Sequence, residues 1–325
     1  MPREAKRGFA CSDSSDHHGP PSCGCEGSRV IWTGVHTKAI PVDSQMKSSS
    51  PSTPSEIEVH ALCSEAEYEA CILLQLEIWG DDVRETVPSA ILQVTQKVGG
   101  VAAGAFEFDG TLAGFVFGLT GIVNGKPAHW SHLLAVRPDR RDRGIGRLLK
   151  YYQRDYLRKI GVNTIYWTFD PMESRNAHLN LNRLGAEVVE YVPHMYGETA
   201  SARTDLGIGT DQFIVRWDFD SAAGPKSAPD IEGAVILTAP TGDNAATPAL
   251  PAHPEGSTVL VEIPGDIQKV KLELPDLAAA YREYTRLAFR HYLGLAYEVR
   301  GFVPGNRGGN SFYVLEPTAQ ESESR

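Results

Sequence analysis

The sequence has few cysteines, no long apolar run and no excess of positive charge. Five cysteines among 325 residues are too few for a disulfide framework, which favours a reducing, cytoplasmic compartment. No apolar stretch approaches the roughly 20 residues of a membrane span, and no signal-peptide core precedes a cleavage site. The formal net charge of −10 argues against a general nucleic-acid binder and against binding to anionic membranes. We therefore expect a cytoplasmic globular protein that binds neither nucleic acid nor membrane.

Two segments of biased composition divide the chain. Residues 1–55 are rich in Ser, Pro, Gly and charged residues, so we predict a disordered N-terminal segment. Residues 221–256 are rich in Ala, Pro, Gly and Thr and are predicted to be a flexible linker or a long surface insertion. A domain is expected at 56–220 and a small α+β subdomain at 257–325. Because a tail of about 60 residues buries little apolar surface, we expect it to pack on the domain or on the second subunit of a homodimer.

The N-terminal segment also holds cysteines and histidines that invite comparison with a zinc site. Structural zinc needs four ligands at regular spacing on a folded scaffold. The spacing here matches no such pattern, and we predict that the protein binds no metal. The residues considered are Cys11, His17, His18, Cys23 and Cys25.

Periodicity and turn signals predict a mixed series of strands and helices. Ser64 followed by Glu67 forms a capping box that begins a helix. Asp109-Gly110 and Asn124-Gly125 are hairpin turns. The second helix has its apolar face at Ile91, Val94 and Val98. The predicted helices are 64–78, 88–98, 145–160, 177–184 and one beginning at 275; the predicted strands are 56–62, 101–108, 112–119, 129–136, 162–169, 188–192, 213–219, 258–263, 297–303 and 312–315.

The most informative stretch follows the strand that ends at Leu134-Ala135-Val136. There Arg141-x-x-Gly144-x-Gly146 forms a turn and opens a helix. Amide groups at a helix start lack intrahelical partners, and the helix dipole adds partial positive charge there. Glycine lets a diphosphate approach this backbone closely. The alternative is a solvated helix start with surface arginines. The basic residues of this patch are Arg140, Arg141, Arg143 and Arg147.

This loop resembles the acyl-CoA diphosphate loop of the GNAT superfamily of acetyltransferases. The element order also matches that family, and Ala177 to Ala186 is similar to its second cofactor helix. The resemblance covers residues 57–219. Phe169-Asp170-Pro171 and Ile263-Pro264-Gly265-Asp266 are similar to segments of an uncharacterised branch that carries a C-terminal extension. The sequence does not resemble a dinucleotide Rossmann site and has no Gly-Lys-Ser/Thr motif.

The resemblance implies a GNAT-type α/β fold, with a mixed, mostly antiparallel sheet flanked by helices and a small α+β C-terminal extension. It also implies acetyl-CoA or another acyl-CoA as co-substrate. Arg147 or Arg140 would lie near its 3′-phosphate, and a backbone amide of the strand would polarise the thioester carbonyl. The implied binding residues are Leu134, Ala135, Val136, Arg141, Asp142, Arg143, Gly144, Ile145, Gly146, Arg147 and Asn176.

The catalytic acid is where this sequence departs from the family. Many members carry a tyrosine four residues before the glycine of the second cofactor helix, and that position here is Leu181. Tyr191, Tyr196 and His194 lie downstream and are alternatives for the acid. His132 is the candidate base, on the strand face that alternation shares with Leu134, or else a half-buried structural histidine.

The resulting functional hypothesis is an N-acyltransferase that acts on a small-molecule amine. One alternative is a CoA-binding regulator or scaffold that has lost transfer activity, because the usual tyrosine is replaced by Leu181. Another is an interaction protein with tails that recruit partners. Glu77 and Trp79, at the end of the first helix, are candidates for the acceptor pocket.

Overall fold

The computed structural model describes residues 30–31, 57–80, 86–197, 208–221, 229, 231–239, 250, 256–306 and 309–318. Eight strands of this part form one sheet, with helices on both of its faces. Its elements are β1 (Val30–Ile31), β2 (Glu58–Ala61), α1 (Glu65–Trp79), α2 (Ser89–Lys97), β3 (Val101–Phe106), β4 (Leu112–Val123), β5 (Lys126–Val136), α3 (Ile145–Lys159), β6 (Thr164–Phe169), α4 (Ser174–Ala177), β7 (Glu187–Val192) and β8 (Gln212–Asp218).

The strand order of this large sheet is β1-β2-β3-β4-β5-β6-β8-β7. All neighbours pair antiparallel except β5 and β6, which are parallel. The predicted fold class, a mixed and mostly antiparallel sheet flanked by helices, is therefore confirmed. α1 begins as predicted: Ser64 Oγ accepts from the Glu67 amide at 3.2 Å, and the Glu67 carboxylate accepts from the Ser64 amide.

A bulge and a split shape the centre of this sheet. Leu133 pairs with Phe117, but Ser131 pairs with Gly118, so His132 is an extra residue in β5. β5 pairs with β6 only at His129 and Trp130 among the described residues. The two strands therefore separate toward the carboxyl end of β5, which leaves a gap that we call the β5–β6 gap.

A second sheet and two helices form the C-terminal extension. Its elements are β9 (Val235–Leu237), β10 (Val259–Ile263), α5 (Ile267–Glu273), α6 (Pro275–Gly294), β11 (Tyr297–Val303) and β12 (Ser311–Pro317). The strand order is β11-β12-β10-β9, with β9 parallel to β10. β9 lies within the segment predicted as a linker, and Leu237 is fully buried. Three residues are too few to show a strand period, so the sequence pattern missed this strand.

Two apolar cores lie on opposite faces of the large sheet. One packs under α1 and α2 and includes Leu74 and Phe117. The other packs under α3 and continues into the extension, where Phe213 of β8 meets Phe289 of α6 and Tyr313 of β12 at ring-centroid distances of 4.7 and 5.3 Å. The extension therefore shares its core with the large sheet.

Three further findings bear on the sequence predictions. Val30 and Ile31, within the segment predicted to be disordered, pair with β2. The cysteines and histidines considered for zinc lie outside the described residues. Within the described part, no helix combines the length and apolarity that a membrane crossing requires.

Candidate functional site

The loop between β5 and α3 presents backbone amides to solvent. Asp142 and Gly144 both have positive φ, 62° and 80°, which turns the chain sharply into α3. Gly144 is the N-cap of α3, and no side chain caps the helix. A Cβ at Gly144 would meet nothing within 4 Å, so the space over the helix start is open. An uncapped, open helix start fits a diphosphate.

The arginines of this loop are not equivalent. Arg140 is held by Glu107 through contacts of 2.8 and 3.1 Å and also pairs with Asp139. Arg141 donates to the Val136 carbonyl at 3.3 Å, which folds its side chain back over the loop. Arg143 and Arg147 are exposed and make no ion pair with any described residue. Of the two alternatives for the 3′-phosphate, Arg147 is therefore the one with an uncommitted guanidinium.

α4 brings a further cation to this loop. Arg175 lies 3.9 Å from the Asp142 carboxylate and is largely exposed. Asn176, the next residue, is also exposed. Arg175 was not predicted as a site residue, because its contact with the loop is tertiary and leaves no local sequence pattern.

β5 offers one unpaired edge beside the loop. Leu134, Ala135 and Val136 pair with β4 on one side and with no described strand on the other. Leu134 and Val136 pack toward α3, while Ala135 packs toward α1. An unpaired edge of this kind accepts an extended chain by strand addition, as the pantetheine arm of an acyl-CoA requires.

His132 lies at the bulge of β5 and is exposed. Its ring stands edge-on to Phe117 at 6.2 Å, on the α1 side of the sheet. The expectation that His132 shares a face with Leu134 is wrong, because the extra residue shifts the alternation of side chains. His132 therefore lies on the same side of the sheet as α1.

His129 is a buried structural residue. Its Nδ1 lies 2.9 Å from Thr120 Oγ1, and its Nε2 lies 2.9 Å from Gln153 Nε2. Thr120 donates to the Gly99 carbonyl at 2.7 Å, so its oxygen is left to accept from Nδ1. Burial and the nearby Lys150 lower the pKa of His129 to about 3. The ring is accordingly neutral.

The candidate tyrosines lie in different surroundings. Tyr191 donates to Asp211 and packs on Phe213 and Phe289, three strands away from β5. Burial, followed by the Asp211 charge, raises the pKa of Tyr191. The structure thus places Tyr191 in the contact with the extension and away from the β5–β6 gap.

Tyr196, in contrast, reaches the β5–β6 gap. Its hydroxyl lies 2.9 Å from Thr168 Oγ1, near the end of β6. Trp167 packs in the α3-side core, so alternation turns Thr168 to the α1 side, where His132 also lies. Thr168 was not predicted as a site residue. Its contact with Tyr196 joins residues 28 positions apart in the sequence, and no local sequence pattern predicts it.

Leu181, at the position of the usual tyrosine, is a core residue. It is 3% exposed and lies in a π-helical turn, His178–Arg183, that follows α4. The Leu184 amide donates to the Leu179 carbonyl, five residues back. Leu181 packs with the α3-side core, and its aliphatic side chain has no proton to donate.

The residues expected to cover the acceptor have structural partners. Glu77 pairs with Arg137 at 2.6 Å, which ties the end of α1 to the end of β5. Trp79 stands edge-on to Phe115 at 6.2 Å. No group of three or more candidate metal ligands is found among the described residues.

One family model matches part of the chain. Residues 74–185 match the family model described as "Acetyltransferase (GNAT) family". No curated protein matches the chain.

Several solved structures resemble this one at low identity. The ribosomal-protein-S18-alanine N-acetyltransferase from Escherichia coli is 19% identical, with 51% of this chain and 96% of that chain covered and a TM-score of 0.40. A putative acetyltransferase, yncA, from Salmonella typhimurium, solved with its cofactor acetyl-CoA, is 18% identical, with 54% and 99% covered and a TM-score of 0.40. Arabidopsis thaliana NAA60 in complex with a bisubstrate analogue is 16% identical, with 51% and 99% covered and a TM-score of 0.41.

Proposed function

We propose that this chain transfers the acetyl group of acetyl-CoA to the amine of a small molecule. Its residues 74–185 match the GNAT acetyltransferase family model. The observation that supports this proposal best is a continuous path. The open start of α3 leads along the unpaired edge of β5 to the β5–β6 gap, where Tyr196 lies. The low cysteine count supports the cytoplasm as the proposed compartment.

Each part of this path has a defined role in the proposed reaction. The amides of Ile145 and Gly146, with Arg143 and Arg147, bind the diphosphate and 3′-phosphate. The free edge of β5 pairs with the pantetheine arm, and one of its amides polarises the thioester carbonyl.

The chemical step is a direct transfer. The neutral amine attacks the thioester carbon, the C–S bond breaks, and an amide forms. In the proposed reaction His132 takes the proton from the amine, and the Tyr196 hydroxyl gives its proton to the leaving thiolate. Thr168 orients this hydroxyl.

Titration calorimetry with acetyl-CoA on the full chain tests the binding half of the proposal. We expect micromolar binding by the native protein and a loss of at least about 100-fold for Gly144→Glu and Arg141→Glu, because each puts a carboxylate where phosphate binds. Gly125→Glu is the matched control. Its φ of 75° is close to the 80° of Gly144, and a Cβ would meet nothing within 4 Å at either glycine, but Gly125 lies in the β4–β5 turn, at the far end of β5.

The proposed site is contradicted if Gly144→Glu and Arg141→Glu bind acetyl-CoA with the native affinity. It is also contradicted if the native protein does not bind acetyl-CoA. If Gly125→Glu weakens binding as strongly as Gly144→Glu, the effect reflects backbone strain or charge in general. In that case the loop is not the binding site.

Thiol release with a panel of small amines tests the transfer half. Replacing Tyr196 by Phe is expected to lower kcat by about 10²- to 10⁴-fold with unchanged acetyl-CoA affinity, because only the proton donor is lost. Tyr151→Phe is the control, since Tyr151 lies on α3 across the sheet, against Trp217. Equal rates for Tyr196→Phe and the native protein rule out Tyr196 as the acid.

A second candidate function rests on Leu181. A leucine at this position has no hydroxyl to protonate the leaving thiolate, and its side chain packs in the core instead. The candidate is a CoA-binding regulator without transfer. Tight acetyl-CoA binding without thiol release for any amine would support it.

A further inference from the structure

Asp211 is a fully buried carboxylate at the contact between the large sheet and α6 of the extension. Arg286 of α6 binds both of its oxygens, with Nε 2.9 Å from Oδ2 and Nη2 2.8 Å from Oδ1. Tyr191 donates to Oδ2, and the His194 amide donates to Oδ1 at 3.2 Å. The carboxylate thus joins α6, β7 and the turn that follows β7.

That turn, residues 193–197, carries Tyr196. The Met195 amide donates to the Thr210 carbonyl at 3.1 Å, and the Tyr196 amide donates to Thr210 Oγ1 at 3.0 Å. Thr210 Oγ1 in turn donates to the Gly197 carbonyl at 2.8 Å. Within the described residues, the turn is therefore held from outside by Thr210 and Asp211.

Arg286 and His194 of the turn both pack against Gly209. A Cβ at Gly209 would lie 2.8 Å from Arg286 Nη2 and 3.0 Å from the His194 ring. Both side chains therefore close over Gly209, whose φ of 91° also excludes a side chain. His194 itself has a φ of 49°, an uncommon value for a residue that is not glycine, and its amide is fixed by Asp211.

Arg286 neutralises the buried Asp211 carboxylate. Burial alone would raise the pKa of Asp211, but the hydrogen bonds from Arg286 and Tyr191 outweigh burial and lower it. Asp211 is therefore ionised. The other nearby cation, Arg282, is already paired with Asp170. Without Arg286, a buried carboxylate would lack its bidentate partner, and its surroundings would rearrange.

We propose that Arg286 is a positioning residue for Tyr196: through Asp211 it fixes turn 193–197, so that the Tyr196 hydroxyl stays against Thr168 at the β5–β6 gap. The extension thereby completes a site whose phosphate-binding part lies wholly within the large-sheet domain. This inference rests on the proposed function only for the statement that Tyr196 protonates the leaving thiolate.

Hydrogen exchange of the full chain tests the positional part without any substrate. Arg286→Gln is expected to accelerate exchange of the amides of residues 194–197 by at least about tenfold, because their anchor is loosened. Exchange in α3 stays unchanged, as does acetyl-CoA affinity. Arg290→Gln is the matched control: Arg290 lies on the same helix, is exposed, and makes no ion pair with any described residue. Arg286→Lys, which keeps the charge, restores part of the protection and serves if Arg286→Gln does not fold.

Kinetics test the catalytic part. Arg286→Gln is expected to lower kcat by about 10- to 100-fold with unchanged KM for acetyl-CoA, and Arg286→Lys to recover part of that loss. If Arg286 acts through Tyr196, adding Arg286→Gln to Tyr196→Phe causes little further loss of kcat.

Three outcomes overturn the inference: exchange of residues 194–197 that is the same in Arg286→Gln and Arg290→Gln, a raised KM with unchanged kcat, or fully additive losses in the double variant. Failure of the proposed function has a different signature. The native protein then transfers to no amine, while the exchange experiment still reports whether Arg286 holds the turn.

Discussion

At the scale of single residues, Lys150 of α3 is a buried cation. Its side chain is 3% exposed, its Nζ donates to Ser131 Oγ at 2.8 Å, and the ammonium lies 3.9 Å from the centre of the Trp167 ring. None of the ion pairs among the described residues includes it. Burial without a carboxylate partner lowers the pKa of Lys150 to about 7.

This lowered pKa makes stability depend on pH in a defined direction. The unfolded lysine keeps its proton up to its ordinary pKa of 10.5, whereas the folded one loses it near 7. Between these values the unfolded state binds more protons, so the free energy of unfolding rises with pH by up to about 1.4 kcal/mol per pH unit. Lys150→Met removes this rise. Urea denaturation of both proteins between about pH 6 and pH 9 measures the difference.

Lys97→Met is the control for that experiment, because Lys97 is exposed at the end of α2. Its denaturation midpoints should follow those of the native protein at every pH. If the curves for Lys150→Met and the native protein run parallel, Lys150 keeps its proton over this pH range and burial does not lower its pKa to about 7.

At the scale of elements, α2 shows how an apolar pattern can mislead. Ile91, Val94 and Val98 share one face as predicted, but that face is 48% to 65% exposed. The buried residues of the helix are Leu92 and Thr95. Thr95 packs against Gly100, where an added Cβ would lie 2.2 Å from its methyl group. Close backbone contact therefore sets the orientation of α2.

Two alanine substitutions test this orientation. Leu92→Ala is expected to lower the free energy of unfolding by about 2–5 kcal/mol, because a fully buried side chain is lost from a packed core. Val94→Ala should change it by no more than about 0.5 kcal/mol, because the side chain faces solvent. Chemical denaturation of the two variants decides the point, and a larger loss for Val94→Ala would reverse the assignment.

Local signals predicted most elements because their causes are local. The capping box begins α1 where Ser64 and Glu67 indicated, and the Asn124-Gly125 turn joins β4 to β5. The face of His132 could not be predicted, because the bulge depends on how β5 pairs with β4. Tyr191 and Tyr196 could not be ranked either. They are five residues apart, and only the position of α6 shows that one is covered and the other is not.

At the scale of the whole molecule, the extension and the large sheet form one packed unit. Phe289 and Tyr313 enter the core beneath β8, and the Tyr313 hydroxyl donates to the Pro171 carbonyl at 2.7 Å. Arg282 of α6, 1% exposed, pairs with Asp170 after β6 at 2.5 Å. The sequence predicts that the extension packs on the domain or on a second subunit, because it needs a surface to cover its apolar residues. The large sheet supplies that surface within one chain.

Arg282→Ala tests whether the extension and the large sheet unfold as one unit. The substitution leaves Asp170 without its partner in a largely buried place, so we expect the free energy of unfolding to fall by about 3–5 kcal/mol. Unfolding should stay a single transition, because the two sheets share a core. All five tryptophans precede residue 220, so their fluorescence reports on the first part of the chain, while far-UV circular dichroism reports on both parts.

Coincident curves from the two probes, shifted together in Arg282→Ala, are the expected result. Arg300→Gln is the control, since Arg300 pairs with Glu298 in an exposed position and such pairs contribute about 0–1 kcal/mol. If circular dichroism shows an early transition that fluorescence does not follow, the extension unfolds separately. The shared core would then be too weak to couple the sheets, and Arg286 could not hold the Tyr196 turn under conditions in which the extension is open.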